Sequence, residues 1–129
     1  MNKILVEVSV GELLDKISIL EIKQEKIKDT EKLKFINSEY KVLKEQLKIN
    51  VKSVEKLNQL FDSLKNINSK LWVIEDEKRL CEKKSDFGEK FIKLSRDIHF
   101  LNDDRAKIKL EINKNTGSKI REIKEYTNY

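Results

Sequence analysis

Residues 87–113 read FGEKFIKLSRDIHFLNDDRAKIKLEIN, and this stretch decides the fold. Apolar residues recur along it at steps of three and four: Phe87, Phe91, Leu94, Ile98, Leu101, Ile108 and Ile112. Arg105 fills the one gap in that series. The spacing predicts a long amphipathic helix whose buried seam is interrupted by a guanidinium group. Asn102, Arg105 and Lys109 share one face of this helix, because they are three and four residues apart.

The composition is typical of long helices. The 129 residues include no proline and only three glycines, with 40% charged and 38% apolar residues. A chain of this length can bury a core without disulfides and corresponds to one domain. We therefore expect an all-α fold, a single domain over residues 1–129. Its architecture is expected to be a long antiparallel helical hairpin or bundle of about four helices, with coiled-coil-like seams.

The start of the chain predicts an extended segment followed by a helix. Residues 1–9 are expected to be extended, because their apolar residues are rich in β-branched side chains. A lone strand is stable only if it pairs with a second copy or lies along a helix. Ser9, with Glu12 three residues later, has the pattern of a capping box. The first helix is expected from about Val10 to Lys28.

The second helix is expected to be separated from the first by Asp29 and Thr30, which can end one helix and cap the next. Beyond it the sequence allows two interpretations. One is a continuous helix past residue 80; the other is a break between Ile49 and Ser53. We favour the break, because asparagine and serine at this point can end a helix and cap another.

The second half of the chain predicts a helical hairpin. A third helix is expected from about Val54 to Lys83, and Ser85 or Asp86 is expected to cap the fourth. So short a link favours antiparallel neighbours. Gly117 suits the left-handed position after the fourth helix. Residues 118–129 form a polar tail that is expected to dock as a short helix or to fray.

Charge and cysteine content exclude several classes. The net charge of +5 and pI near 9.2 come from 28 basic and 23 acidic residues that are interleaved along the helices. Nucleic-acid binding surfaces concentrate positive charge, so that function is disfavoured. Cys81 falls in an apolar helical pattern and is expected to be a buried free thiol in a reducing compartment. We find no signal peptide or membrane span in the sequence, and we expect a cytoplasmic protein.

Three segments resemble a family of short bacterial proteins of unknown function. They are residues 7–23, EVSVGELLDKISILEIK; residues 71–76, LWVIED; and residues 102–113, NDDRAKIKLEIN. The resemblance covers most of the chain except about residues 40–65. It implies a helical, stand-alone protein. It assigns no activity, cofactor or functional residue.

Arginine is concentrated in one part of the chain. Three of the four arginines, Arg79, Arg96 and Arg105, lie within 27 residues, whereas lysine fills 24 of the 28 basic positions. The planar guanidinium group suits bidentate recognition of a carboxylate or phosphate. The interpretation we prefer is structural, because a buried guanidinium without an anionic partner is costly. Internal ion pairs are then expected between Arg105 and an acid of the third helix, Glu75 or Asp76. Arg79 is expected to pair with Asp97, Asp103 or Asp104.

The alternative is a ligand-binding pocket between the helices. Its candidate residues combine an aromatic wall, basic side chains and polar groups: Trp72, Glu75, Arg79, Arg96, Asn102, Arg105 and Lys109. The arrangement is similar in architecture to the all-helical chorismate mutases, although the first helix has no arginine. No cofactor is expected. No metal site is expected either, because His99 and Asp103 are the only pair at ligand spacing on their helix and no Glu-x-x-His motif is present.

Association is the function that the sequence favours. The first helix has an apolar face wide enough for two neighbours: Leu13, Leu14, Ile17, Ile19, Leu20, Ile22 and Ile27. The extended start and apolar residues such as Phe35 would leave a monomer with uncovered surface. We therefore expect a homodimer that acts as an interaction or scaffold module, with a further protein partner in that role. The second hypothesis is a binder or enzyme for a small anionic molecule.

Overall fold

Four α-helices make up most of the chain in the computed structural model, which describes residues 3–129. They are α1 (Val10–Lys26), α2 (Thr30–Asn50), α3 (Asn58–Lys83) and α4 (Glu89–Thr116). A short 3₁₀ turn, Val54–Leu57, precedes α3. The described residues contain no strand. The all-α prediction is confirmed.

Most helix ends follow the predicted capping chemistry. The Ser9 hydroxyl accepts a hydrogen bond from the Glu12 amide at 3.0 Å, and the Asp29 carboxylate accepts one from the Lys32 amide at 3.1 Å. Gly117 has a φ of +65°, which is the left-handed conformation expected there. The chain also breaks where predicted, since α2 ends at Asn50 and the next turn begins at Val54.

Two helix boundaries differ from the prediction. α1 ends at Lys26 rather than Lys28, because Ile27 already has an extended backbone with φ −88° and ψ 131°. The third helix does not begin as an α-helix at Val54. Ser53 takes a left-handed conformation with φ 57°, and a 3₁₀ turn then leads into α3. The turn lets the chain reverse direction within a few residues.

The start of α4 also differs. Gly88 is its N-cap, and no side chain caps the first turn, so the prediction of Ser85 or Asp86 was wrong. Ser85 has a φ of 54°, and the Asp86 carboxylate accepts a hydrogen bond from the Gly88 amide at 3.2 Å. Both residues therefore hold the turn between α3 and α4. Phe87 precedes the helix and is exposed.

The helices form two hairpins that pack together at one end. α3 and α4 are antiparallel neighbours, as predicted, and α1 contacts both of them as well as α2. The broad apolar face of α1 is thus covered by three helices. Where the hairpins meet, the core consists of buried aliphatic side chains: Leu13, Leu14, Ile17, Leu47, Val51, Leu57, Leu64 and Ile112.

The two ends of the described chain remain outside this core. Residues 3–8 are exposed, and Ile4 and Leu5 each keep 86% of their surface accessible. Residues 118–129 form no helix. The predictions for Met1 and Asn2 lie outside the described residues. No helix in the described part of the chain is long and apolar enough to cross a membrane.

Gly11 sets how closely α1 approaches α4. Its amide donates a hydrogen bond to the Asn113 side-chain oxygen at 2.7 Å. A Cβ atom at position 11 would lie 2.5 Å from the backbone oxygen of Lys109 and 2.9 Å from that same Asn113 oxygen. The first of these atoms belongs to helix backbone and cannot rotate away. Glycine is therefore required for α1 to lie at its observed distance from α4.

We predict that Gly11→Ala lowers the free energy of unfolding by about 1–3 kcal/mol, although alanine is the better helix former. Urea unfolding followed by circular dichroism measures the change. Gly88→Ala is the matched control, because a Cβ there meets only the Asp86 carboxylate, at an ordinary 3.5 Å. The control should change stability by less than about 0.5 kcal/mol. Equal effects of the two substitutions would contradict a steric role for Gly11.

Candidate functional site: an arginine-lined cleft beside a buried polar network

A network of polar side chains lies where α1 crosses the α3–α4 hairpin. Asn68 of α3 is at its centre and only 5% exposed. Its side-chain Nδ2 donates to Asp15 Oδ1 and to Ser18 Oγ, both at 2.8 Å. The Ser18 hydroxyl donates in turn to the Asp15 backbone carbonyl at 2.7 Å. One amide group therefore joins α3 to α1 through two buried hydrogen bonds.

Arg105 of α4 joins this network through an amide oxygen rather than a carboxylate. Its Nη1 donates to Asn68 Oδ1 at 3.3 Å. The predicted ion pair with Glu75 or Asp76 was wrong, since none of the ion pairs in residues 3–129 includes Arg105. A guanidinium group has five N–H donors. The bond to Asn68 uses one, and the others are left for water or a ligand.

Arg79 also lacks the partners that were predicted for it. It is exposed, and it forms no ion pair with Asp97, Asp103 or Asp104 in the described part of the chain. Arg79 and Asp97 do not pair because they lie on different sides of the α3–α4 hairpin. Arg79 lines a cleft on the α1 side, whereas Asp97 lines a groove elsewhere and pairs with Lys93 at 2.8 Å.

Both arginines line one open cleft of about 480 Å³ between the second half of α1 and the α3–α4 hairpin. Its apolar wall includes Trp72 and the α1 side chains Ile19 and Ile22. Its polar lining consists of Asn68, Glu75, Asp76, Arg79, Asn102 and Arg105. A cleft of this size, mostly apolar with a few converging polar groups, has the form of a small-molecule site.

Five of the seven predicted site residues line this cleft: Trp72, Glu75, Arg79, Asn102 and Arg105. Arg96 does not, and is exposed on α4. Lys109 does not line it either, because its side chain is directed to acidic groups of α1. The structure therefore brings five of the predicted residues together in this cleft and places Arg96 and Lys109 outside it. Helical spacing could not predict that acidic groups outside the cleft would bind the Lys109 side chain.

Lys109 is bound by three carboxylates. Its ammonium nitrogen lies 2.7 Å from Glu12, 3.8 Å from Asp15 and 3.3 Å from Glu122. Its side chain is only 12% exposed. Burial disfavours the charged ammonium, but the hydrogen bond to Glu12 and the charges of the three acids outweigh it. The net effect raises the pKa of Lys109. Lys109 thus compensates the charges of Glu12 and Asp15 on α1 and holds α4 against α1.

The C-terminal tail returns along α4. Glu122 brings its carboxylate to Lys109, and the Tyr129 hydroxyl donates to the Asp103 carboxylate. The Tyr129 ring also packs edge-on against His99 and Phe100, with ring centres 5.4 Å and 5.2 Å apart. His99 and Asp103, which are one turn apart, are thus both in contact with the tail. No group of acidic, histidine or cysteine residues in 3–129 is arranged to hold a metal ion.

Two polar residues of the cleft were not among the predicted site residues. Asn68 is four residues from the buried Leu64 and three from the buried Leu71. An amide at an apolar seam position is a signal that could have identified it. Asp76 follows Glu75 and was considered only as an ion-pair partner. The apolar contribution of α1 could not be predicted, because it depends on how the first hairpin packs on the second.

The charged side chains of the cleft have chemistry that suits an anionic molecule. Arg105 is held by Asn68, and Arg79 lies four residues from Glu75 on the same helix. Two guanidinium groups in one cleft suit a carboxylate or phosphate. Glu75 and Asp76 suit a hydroxyl or ammonium donor on the same molecule.

Lys109 gives the protein a specific dependence on alkaline pH. The pKa of Lys109 is higher in the folded state than the unfolded value of 10.5, so the protonated lysine stabilises the folded state fully below that pH. This stabilisation is lost as the pH rises through the folded pKa. We predict that Lys109→Met lowers the free energy of unfolding by about 1–3 kcal/mol at neutral pH, because the network loses its cation. The difference from the native chain should shrink above about pH 10.5.

Urea midpoints measured from pH 7 to pH 11.5 test this prediction. Lys16→Met is the matched control, because Lys16 is half-exposed and lies 3.7 Å from the same Glu12. The control should leave the alkaline slope unchanged. A Lys109→Met variant whose slope equals that of the native chain would contradict the assignment. The pKa of Lys65 is also raised, chiefly by its hydrogen bond to Glu25, and this contribution is common to all three proteins.

The comparisons with known proteins give one match. A family model described as "Family of unknown function (DUF6165)" matches residues 4–129. Comparison with curated proteins and comparison with solved structures each yield no match. The matched range includes all four helices, the buried network and the cleft. The chain belongs to this family of unknown function.

Proposed function

We propose that this protein binds a small molecule carrying a carboxylate or phosphate in the cleft lined by Arg79 and Arg105. The observation that carries the proposal is the environment of Arg105. Its guanidinium group is half-buried, lines the cleft and is held by an amide oxygen at 3.3 Å, and no acid among residues 3–129 is in ion-pair contact with it. A guanidinium held in this way keeps both its charge and most of its donors for a ligand.

The position of Arg105 supports binding, because its hydrogen-bond partner is itself fixed. Asn68 is buried and held by Asp15 and Ser18. The arginine therefore loses less side-chain freedom on binding than an exposed arginine would. Preorganisation of this kind raises affinity without adding contacts.

The rest of the lining indicates what the ligand carries besides its anionic group. Trp72, Ile19 and Ile22 offer an apolar surface for a ring or short hydrocarbon chain. Glu75 and Asp76 balance the two guanidinium charges, so a polyanion would meet repulsion. We infer that the ligand carries one or two negative charges and at least one hydrogen-bond donor, as phosphate and malate do. If it is a substrate, the two acids are the groups placed to exchange a proton with it.

Association is the second candidate function, and exposed apolar side chains favour it. Phe35 of α2 is 78% exposed, and Ile4 and Leu5 of the N-terminal segment are each 86% exposed. In this hypothesis the protein is a homo-oligomeric scaffold that also takes a protein partner. Both hypotheses place it in the cytoplasm. The free and buried thiol of Cys81 supports a reducing compartment.

The single tryptophan of the chain makes the first proposal measurable. Trp72 lines the cleft, so its fluorescence reports occupancy without a label. We predict that inorganic phosphate or a hydroxycarboxylate such as malate changes Trp72 emission along a saturable curve. Arg105→Met should weaken that binding by about 10- to 100-fold, because a charge-assisted hydrogen bond is lost.

Arg96→Met is the matched control, since it removes the same charge from α4 outside the cleft. It should bind each probe with the affinity of the native chain. Equal losses in the two variants would show that only net charge matters, and would contradict the site. A native chain whose Trp72 emission is unchanged by millimolar phosphate and by millimolar malate would contradict the proposed function itself.

A further inference from the structure

A second concave surface lies on the α3–α4 hairpin, on a different side from the arginine-lined cleft. This apolar groove, of about 610 Å³, is formed by Val73, Ile74, Phe100 and Leu101, with Ser69, Lys70 and Asp97 at its margin. Phe100 lies nine residues before Lys109, which is about 180° around α4 at 100° per residue. The groove therefore faces away from α1. Tyr129 of the C-terminal tail packs on Phe100 beside it, and the remaining surface of the groove is open.

The same molecule exposes an apolar segment at its other end. Ile4, Leu5 and Val6 are 86%, 86% and 74% exposed. In an extended chain alternate residues share a face, so Lys3, Leu5 and Glu7 lie on one face and Ile4, Val6 and Val8 on the other. The first face places the apolar Leu5 between two charged residues. We refer to residues 3–8 as the N-terminal arm. An uncovered apolar arm and an open apolar groove on one chain suggest that each is the partner of the other.

We propose that the N-terminal arm of one copy lies in the apolar groove of a second copy, and that the exchange is reciprocal. The proposal rests on association, the second candidate function, and is independent of the ligand cleft. Reciprocal exchange closes a twofold dimer in which each copy both gives an arm and receives one.

The charges at the two surfaces are complementary. The groove has Lys70 at one end and Asp97 at the other, and the arm carries Lys3 and Glu7. Lys3 can meet Asp97 while Glu7 meets Lys70. Asp97 now pairs with Lys93, at the exposed surface, where such a pair is weak and easily exchanged.

The spacing of these charges also matches. Asn68 of α3 bonds to Arg105 of α4, so these two residues lie at the same height along the antiparallel hairpin. Asp97 is eight residues before Arg105 and therefore lies at the height of position 76 on α3. Lys70 is six residues from position 76, a separation of about 9 Å along the α3 axis. The axes of α3 and α4 are also about 9 Å apart. The diagonal between Lys70 and Asp97 is about 13 Å. Four residues of extended chain, from Lys3 to Glu7, also span about 13 Å.

The arm cannot fill the groove of its own copy. It enters α1 at Gly11, which is bonded to Asn113. Asp97 lies 16 residues from Asn113 along α4, which is about 24 Å. The eight residues from Gly11 to Lys3 reach about 26 Å when straight. Little length is left for the half-turn around α4 that separates the two faces, so a second copy is the occupant.

Sedimentation equilibrium of the full chain from low to high micromolar concentration is the first test. The expected mass is twice the 15.3 kDa of one chain. Leu5→Asp in the arm and Val73→Asp in the groove should each weaken the dimer by about tenfold or more, because a buried apolar group becomes a charge. Val42→Asp, at an exposed apolar residue of α2 outside both surfaces, is the matched control and should leave the dimer intact.

Disulfide formation between two different variants tests the placement of the arm. A Glu7→Cys chain is mixed with a Lys70→Cys chain, both with Cys81→Ala, and oxidised. A covalent dimer should form in the mixture in clear excess over either variant alone. The melting temperature of each variant shows that it is folded, and residues 7 and 70 are both exposed.

Each outcome decides the proposal. A dimer lost in Leu5→Asp and Val73→Asp, kept in Val42→Asp and captured only in the mixture supports arm exchange. A dimer that neither arm nor groove substitution weakens, or that gives no excess disulfide in the mixture, overturns arm exchange but leaves association standing. A chain that stays monomeric at high micromolar concentration overturns both.

Discussion

The fold and the cleft depend on the side-chain amide of Asn68. Its nitrogen donates to Asp15 and Ser18 of α1, and its oxygen accepts from Arg105 of α4. Three helices are therefore joined through one planar group whose donor and acceptor sides are both used. Such a group specifies one relative position of the helices, because any slip would leave buried polar atoms without partners. Close approach at Gly11 brings α1 near enough to α4 for the network to form.

The same amide determines the state of Arg105. A carboxylate in its place would neutralise the guanidinium and occupy it from two directions. An amide oxygen orients the guanidinium group without forming an ion pair with it. Lys109, one turn along α4, is the contrasting case: three acids surround it, and its role is completed within the molecule. The two basic residues of one helix face thus differ in their partners: three carboxylates surround Lys109, whereas the bonded partner of Arg105 is an amide oxygen.

Much of the fold could be predicted from sequence, and the site only in part. Apolar spacing gave the helices and the antiparallel hairpin, and the caps at Ser9 and Asp29 follow from local chemistry. The cap of α4 was missed because its turn uses Asp86 for its own backbone. Arg105 was correctly identified as unusual, but its partner was wrong. The sequence around Arg105 does not show whether its partner is Asn68 or an acid two turns further along α3, because that pairing depends on how α1, α3 and α4 pack together.

The nitrogen resonances of the arginine side chains test the central claim most directly. In ¹⁵N-labelled protein the Nε–H signals of Arg105, Arg79 and Arg96 are assigned and followed as phosphate or malate is added. The account predicts that the Arg105 signal shifts along a saturable curve, with Arg79 following and Arg96 unchanged. An Arg105 signal that does not respond to either anion, while removal of Glu75 and Asp76 shifts it, would show that an internal acid already holds the guanidinium. That result would contradict the account.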